Sequence, residues 1–228
     1  MGDPTMCSAD APLVHIVDDD ARVCDALSEL LASVGIEART YLSPQDLMSA
    51  SVPDRPGCLI LDVRMPGGSG LELQRKMISE RNAGKPIVFL TGHGDIPMSV
   101  EAMKAGAVDF LIKPVRDQTL LDAVAEGIAR DRRQRQAARV SDALLARFAT
   151  LTPREREVMR YVALGRLNKQ IAHSMGISEV TVKLHRGNVM TKMALGSVGH
   201  LIRSWEVIAP LVPALAEEDA PVTREAAA

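Results

Sequence analysis

The stretch LILDVRMPGGSG, residues 59–70, carries three apolar residues into a lone carboxylate, Asp62, and then into a glycine-rich loop with one proline. A short apolar run that stops at a charged residue and turn residues reads as a buried strand ending at a rim. Similar runs recur at LVHIV (13–17), EARTYL (37–42), GCLIL (57–61), PIVFL (86–90) and DFLI (109–112). Most are too short for helices. The central ones are apolar on both faces, as parallel strands covered on both sides are. Between them lie segments of helical spacing. ARVCDALSELLASVG repeats apolar residues at Val23, Leu27, Leu30, Leu31 and Val34 and stops at Gly35. SPQDLMSA offers Ser43 as a cap with Pro44 at the first helical position. GLELQRKMISER and IPMSVEAMKAGA follow. Five βα units predict an α/β fold, a doubly wound five-stranded parallel sheet.

Residues 117–148 hold no proline and one glycine, and predict a long helix that closes this domain and continues as a charged linker. Its run RDRRQRQAAR reads as too polar to be buried. From Leu151 the pattern becomes helices without strands. LTPREREVMRYVALG opens with Thr152, Pro153 and Glu155, the residues of a capping box. NKQIAHSMG and SEVTVKLHRGNVMTKM follow, parted by a tight turn, and a last helix covers about 197–208. The division expected is a first domain over 12–128, a helical linker over 129–148, a helical domain over 149–208 and a disordered tail over 209–228, rich in Pro, Ala and Glu.

Charge separates the two halves. Residues 1–128 hold 19 acidic and 11 basic side chains, a balance of −8. Residues 129–228 hold 10 acidic and 16 basic, a balance of +6. Within 130–210 the balance is +9, a footprint for phosphates. Cys7, Cys24 and Cys58 form no CxxC pattern and read as reduced thiols. MGDPTMCSADAP (1–12) lacks the features of a signal peptide, and no apolar run approaches the ~20 residues that span a membrane. A cytoplasmic chain with no membrane partner is expected.

In an open parallel sheet, functional groups gather beyond the carboxyl ends of the strands. Those ends carry Asp18, Asp19 and Asp20, then Asp62, then Thr91, then Lys113. Clustered carboxylates suit a hard cation such as Mg2+. A carboxylate is also a nucleophile toward phosphorus. An ammonium and a hydroxyl supply the positioning and charge neutralisation that phosphoryl transfer needs. Asp20 by itself reads as the N-cap of the first helix.

VDDD (17–20), LILDVRMPGGSGLEL (59–73), LTGHGD (90–95) and AGAVDFLIKP (105–114) resemble the receiver domain of bacterial two-component response regulators, a CheY-like, flavodoxin-like fold. The resemblance implies Asp62 as phosphoacceptor. It implies Mg2+ held by Asp18, Asp19 and Asp62 with the Arg64 carbonyl, Thr91 and Lys113 on the phosphoryl group, Phe110 as switch aromatic and a cis Lys113–Pro114 bond. Phosphohydrolases of the haloacid dehalogenase type also use a strand-end aspartate, but want a second one two residues on, where this chain has Arg64.

The second half reads as a helix-turn-helix, whose second helix enters the DNA major groove. With Val182, Val189 and Met193 turned inward, the opposite face carries Lys183, Leu184, Gly187 and Thr191. LTPREREV, NKQIA with ISEVTVKLH, and HRGNVMTKM followed by HLIR resemble the LuxR/NarL-type four-helix output domain, most like its FixJ branch. On that resemblance Lys183, Leu184 and Gly187 face bases. Thr181, Arg186, Asn188 and Lys192 face the DNA backbone, and Lys169 lies at a phosphate-binding helix start. The last helix is the family's dimerisation element, although LGSVGH (195–200) replaces its usual arginine-rich approach.

The reading is a phosphorylation-activated transcriptional regulator, not an enzyme in the ordinary sense. Its expected partners are a sensor histidine kinase, double-stranded DNA and a second copy of the chain through a face around 97–122, with RNA polymerase a possible further one. Arg64 and His93 are expected to limit water access to the phosphorylated site. The competing reading is a phosphate sink or protein-partner switch that does not act through DNA.

Overall fold

The computed structural model describes residues 10–66, 68–79, 84–92 and 94–212. Cys7, His93 and the tail from 213 onward lie outside the described residues. The chain divides into two compact units between Gln136 and Ala137.

The first unit is a five-stranded sheet of β1 (Leu13–Val17), β2 (Glu37–Tyr41), β3 (Leu59–Leu61), β6 (Ile87–Thr91) and β7 (Asp109–Ile112). Their order is β2-β1-β3-β6-β7 with every pairing parallel, so it is the doubly wound sheet expected. The strand period of two sorts its side chains. Val14, Ile16, Ile60, Val88 and Leu90 pack with Leu27 and Leu31 of α1 (Ala21–Ser33) and with Leu120 and Val124 of α5 (Asp117–Ala149). Val17, Leu61, Ile87 and Phe89 pack on the other face with Leu47 of α2 (Pro44–Ser49), Leu71 of α3 (Gly70–Ser79) and Ala102 of α4 (Ile96–Lys104). The central strands β1, β3 and β6 are buried throughout, whereas edge strand β2 is largely exposed and carries Glu37 and Arg39. Charges on an edge discourage pairing with another chain.

Three details depart from the sequence reading. The glycine-rich loop after Asp62 holds a short antiparallel ribbon, β4 (Arg64–Met65) with β5 (Gly68–Ser69). Asp131, in the charged run, is only 4% exposed. Its carboxylate accepts from the Gly57 backbone N–H at 2.8 Å and meets Lys85 Nζ at 3.4 Å. A buried charge persists only when paired in this way. The nearby Arg135 pairs with Asp54 at 2.7 Å, so α5 still contributes to the first unit beyond residue 128. Finally, residues 209–211 of the expected tail form a 3₁₀ turn, and Ala209 and Val212 pack against the second core.

That core belongs to the second unit. Phe148 from the end of α5 packs with α6 (Pro153–Ala163), α7 (Asn168–Met175), α8 (Glu179–Lys192) and α9 (Val198–Ile208). The capping box at Thr152 and Glu155 starts α6. Gly176, with φ +64°, ends α7 in the left-handed conformation glycine tolerates. Ser178 caps α8 two residues later by accepting from Thr181 N–H. The short turn between α7 and α8 is therefore set by one glycine and one serine. Val182, Val189 and Met193 are fully buried, which fixes which face of α8 turns outward.

Candidate functional site

The strand order makes neighbours of groups far apart in sequence. Asp18 follows β1, Asp62 follows β3, Thr91 ends β6 and Lys113 follows β7, and these strands lie side by side. Asp62 N–H donates to the Val17 carbonyl at 2.9 Å, and Lys113 N–H to the Thr91 carbonyl at 2.8 Å, so the sheet itself holds the rim. Asp18 is 3% exposed, Asp62 8% and Thr91 1%. Carboxylate oxygens of Asp18, Asp19 and Asp62 all lie within 4.8 Å of one another. The Lys113 ammonium donates to Asp18 at 2.5 Å and to Asp62 at 3.1 Å. Arg64 N–H donates to the other Asp62 oxygen at 3.2 Å. Asp20 turns away and caps α1, accepting from Arg22 N–H at 2.9 Å.

Burial pushes the Asp18 carboxyl up, against the opposing pull of Lys113. Burial would lower the Lys113 ammonium, but its bonds to Asp18 and Asp62 outweigh this and raise it. Three crowded carboxylates and one ammonium leave excess negative charge in a half-closed pocket. All donors are hard oxygens, and the set fits Mg2+. Behind them the Lys113–Pro114 peptide is cis, and Phe110 packs against Phe89 with ring centroids 5.9 Å apart. Gly70 closes the loop: a Cβ there would fall 2.2 Å from the Asp62 carbonyl oxygen.

In the second unit α8 turns Lys183 and Leu184 outward, the latter 62% exposed. Gly187 lies on the same side, and a Cβ there would meet nothing within 4 Å, so no contact within the chain requires glycine. Asn188 and, near the start of α7, Lys169 are exposed. The other three expected backbone contacts are engaged internally. Arg186 donates to Asn168 Oδ1 at 2.7 Å, Thr181 bonds Ser178 through their hydroxyls at 2.9 Å, and Lys192 holds Glu155 at 2.6 Å.

Residues 14–125 match the family described as response regulator receiver domain, and residues 149–205 match bacterial regulatory proteins of the luxR family. Nodulation protein W of Bradyrhizobium diazoefficiens is 48% identical over 196 residues, 86% of each chain. The transcriptional regulatory protein FixJ of Azorhizobium caulinodans is 41% identical over 88% of this chain and 94% of its own. The solved structure of the response regulator StyR is similar with a TM-score of 0.74 at 45% identity, over 86% of this chain and 98% of that one. The chain belongs to the FixJ-like response regulators. It is a phosphorylation-activated, DNA-binding transcriptional regulator of a two-component system.

The reading of this response regulator's sequence missed the roles of Asp131 and of the Glu155–Lys192 ion pair. Glu155 was read only as half of a capping box. It accepts from Thr152 N–H at 2.9 Å and also takes the Lys192 ammonium, 37 positions away. Nothing local in the sequence points to that second partner. The Lys192 bond, joined by Thr152, holds the Glu155 carboxyl down to about 2, against an ordinary 4.5. In acid the unfolded chain takes this proton first. The pair's stabilisation is therefore complete above pH 4.5 and is lost as pH falls toward 2. Trp205, the only tryptophan, is buried in the same core and reports its melting. Melts followed by Trp205 fluorescence should drop through this window, and Glu155→Gln should be less stable at pH 7 and lose part of the slope. An unchanged slope would separate Glu155 from the acid sensitivity.

Proposed function

We propose that Asp62 is the residue on which this response regulator is phosphorylated. The observation that carries the reading is the single carboxylate at the end of β3, set between Lys113 and the Asp18/Asp19 pair. A carboxylate oxygen of Asp62 attacks phosphorus, the P–N bond of a phosphohistidine on the partner kinase breaks, and the departing imidazole nitrogen takes a proton. Asp18, Asp19 and Asp62, with the Arg64 carbonyl, would hold Mg2+, which when bound offsets the charge of the phosphoryl oxygens. Lys113 leaves its bond to Asp62 for a phosphoryl oxygen, and the Thr91 hydroxyl takes another. Phe110 is the aromatic that follows Thr91 on phosphorylation.

Phosphorylation promotes a homodimer through the face around 97–122. Val100 and Met103 of α4 and Ile112 of β7 are exposed there beside Lys104 and Glu101, the mix of apolar and charged groups an interface uses. The dimer binds double-stranded DNA. Lys183, Leu184 and Gly187 face base edges, while Lys169 and Asn188 meet the sugar-phosphate backbone. Thr181, Arg186 and Lys192 support the surface as well as contributing to it, since each also holds a neighbour within the unit. A kinase that passes on a signal, a cytoplasmic setting and RNA polymerase as downstream partner follow from this reading. Among the described residues no helix is long and apolar enough to cross a membrane.

The test is selection of bound genomic fragments followed by footprinting, with and without acetyl phosphate and Mg2+. Phosphorylation should tighten binding to paired half-sites and shift sedimentation from monomer to dimer. A chain that is phosphorylated yet protects no DNA would favour the phosphate-sink reading instead.

Arg64 governs how long the signal lasts. Its side chain is exposed at the mouth of the rim, two residues past Asp62. A guanidinium there pairs with phosphoryl oxygens and is ill suited to activating a water. His93, expected to share this role, lies outside the described residues. Arg64→Asn should shorten the phosphorylated lifetime severalfold, a change of ~1 kcal/mol in the barrier. Loss of phosphoryl label from purified protein in excess Mg2+ measures it, and decay at the parent rate would exclude Arg64 from this role.

A further inference from the structure

The side of α8 that faces away from its own core is apolar along its outermost line. Val182, Val189 and Met193 are fully buried and set the inward direction. At ~3.6 residues per turn, Val180, Leu184, Gly187 and Thr191 fall within about 60° of one another on the opposite side. All four are exposed. Val180 is 75% exposed and Leu184 62%, and Val180 is the most exposed large apolar side chain described in the second unit. One such residue needs no explanation, but two at i and i+4 form a continuous ridge. A Cβ at Gly187 would meet nothing within 4 Å, so the ridge falls away there to open space. Before Thr191, no side chain on this line can donate or accept a hydrogen bond.

Polar and charged groups lie to the sides of the line. Lys183 flanks Val180 about 60° round in one direction, and Asn188 lies about 80° round in the other. Glu179, the one carboxylate on α8, is about 100° from Val180 and sits in the first turn, where the helix dipole favours it. In the DNA major groove each base pair shows its own set of donors and acceptors, and thymine alone also shows a methyl group. A ridge without donors has nothing to offer guanine N7 and O6 or the amino groups of adenine and cytosine. Set against those edges it would desolvate polar groups and leave them unpaired. The thymine C5-methyl is the groove feature an aliphatic side chain matches. Val180 is the second residue of α8, at the amino-terminal end by which a recognition helix meets base edges.

We propose that Val180 is a specificity-determining residue that packs its methyl groups on the C5-methyl of a thymine in each half-site, with Leu184 carrying the same apolar contact one turn further along α8. This rests on the placement of α8 in the major groove given under the proposed function, and adds to it a base-reading residue and the base it prefers.

Duplexes bound by the full chain in acetyl phosphate and Mg2+ are selected from a random-sequence pool, and each thymine of a selected site is replaced in turn by uracil. Uracil keeps every hydrogen-bonding group of thymine and loses only the methyl. In each half-site at least one such replacement should weaken binding about threefold to fivefold, the worth of one buried methyl. Val180→Ala should bind the thymine duplex more weakly by a similar factor, and at one of those positions should no longer distinguish uracil from thymine. Val180 is exposed and alanine is the better helix former, so the variant keeps its fold. A general disturbance of α8 would weaken all duplexes alike and leave the uracil penalty in place. No uracil-sensitive thymine in the selected sites, or a penalty unchanged at every position in Val180→Ala, would overturn the proposal and leave α8 in the groove. Gly187→Glu sets a carboxylate on the same line and should abolish binding. Unchanged binding by Gly187→Glu would overturn the groove placement and the thymine contact with it.

Discussion

Asp62→Asn is expected to abolish phosphorylation outright while leaving the fold in place. Asparagine matches the shape of aspartate, and its one amide oxygen can accept either from Arg64 N–H or from Lys113 but not from both, so one of the two contacts is given up while the β3 end keeps its packing. What disappears is the nucleophile: an amide oxygen does not form an acyl phosphate under these conditions. Stability should not suffer, because the change removes one negative charge from a group of three carboxylates within 4.8 Å. Purified protein with acetyl phosphate and Mg2+ should gain the mass of one phosphoryl group in the parent chain and none in Asp62→Asn. The phosphorylation-dependent gain in DNA affinity should vanish with it, whereas basal binding by the second unit remains. Full labelling of Asp62→Asn would sink the assignment and move the acceptor to Asp18 or Asp19.

Gly57→Ala is expected to prevent the first unit from folding. An added Cβ would lie 1.8 Å from the Leu13 carbonyl oxygen and 2.9 Å from its carbon, inside the backbone of the neighbouring strand. Backbone cannot rotate away as a long side chain can. Leu13 N–H is itself bonded to the Pro56 carbonyl at 2.8 Å, and Gly57 N–H is tied to Asp131. Shifting Gly57 would break both bonds and unseat a buried charge. The combined cost should exceed ~4 kcal/mol, enough to remove most of a domain's stability. Urea unfolding followed by far-ultraviolet circular dichroism should lose the transition of the first unit, while Trp205 fluorescence still reports an intact second one. Gly187→Ala is the contrast, since its Cβ meets nothing and α8 should gain up to ~1 kcal/mol. A Gly57→Ala chain with the parent's unfolding midpoint would show that β1 yields more easily than this packing allows.

Much of the carboxylate rim was legible because it is written at strand ends. Asp62 follows LIL, Thr91 ends IVFLT and Lys113 follows DFLI, so finding the strands found the rim. The helix-turn-helix was legible for a similar reason. Gly176 and Ser178 mark its turn, and Val182 and Val189 mark the inner face of α8. The set of residues proposed to face DNA was less so. Lys183, Arg186 and Lys192 are all cations on one helix, and their spacing does not say that Lys183 is exposed, Arg186 holds Asn168 and Lys192 holds Glu155.

By itself the sequence determined what depends on near neighbours. Alternation and apolar runs settle strand or helix within a few residues, and capping residues settle where helices start. Net charge, summed by segment, separates an acidic half from a basic one. Only the tertiary structure decided the pairings between distant positions. Asp131 reads as one more charge in a solvated run until Gly57, 74 residues away, is seen to donate to it. His15 reads as one residue of a buried strand until Tyr41 is seen to meet one ring nitrogen while the other is left buried without a partner among the described residues. The physical reason is the same in each case. Burial sets what an ionisable or polar group costs, and burial is a property of the packed chain that no local window of sequence contains.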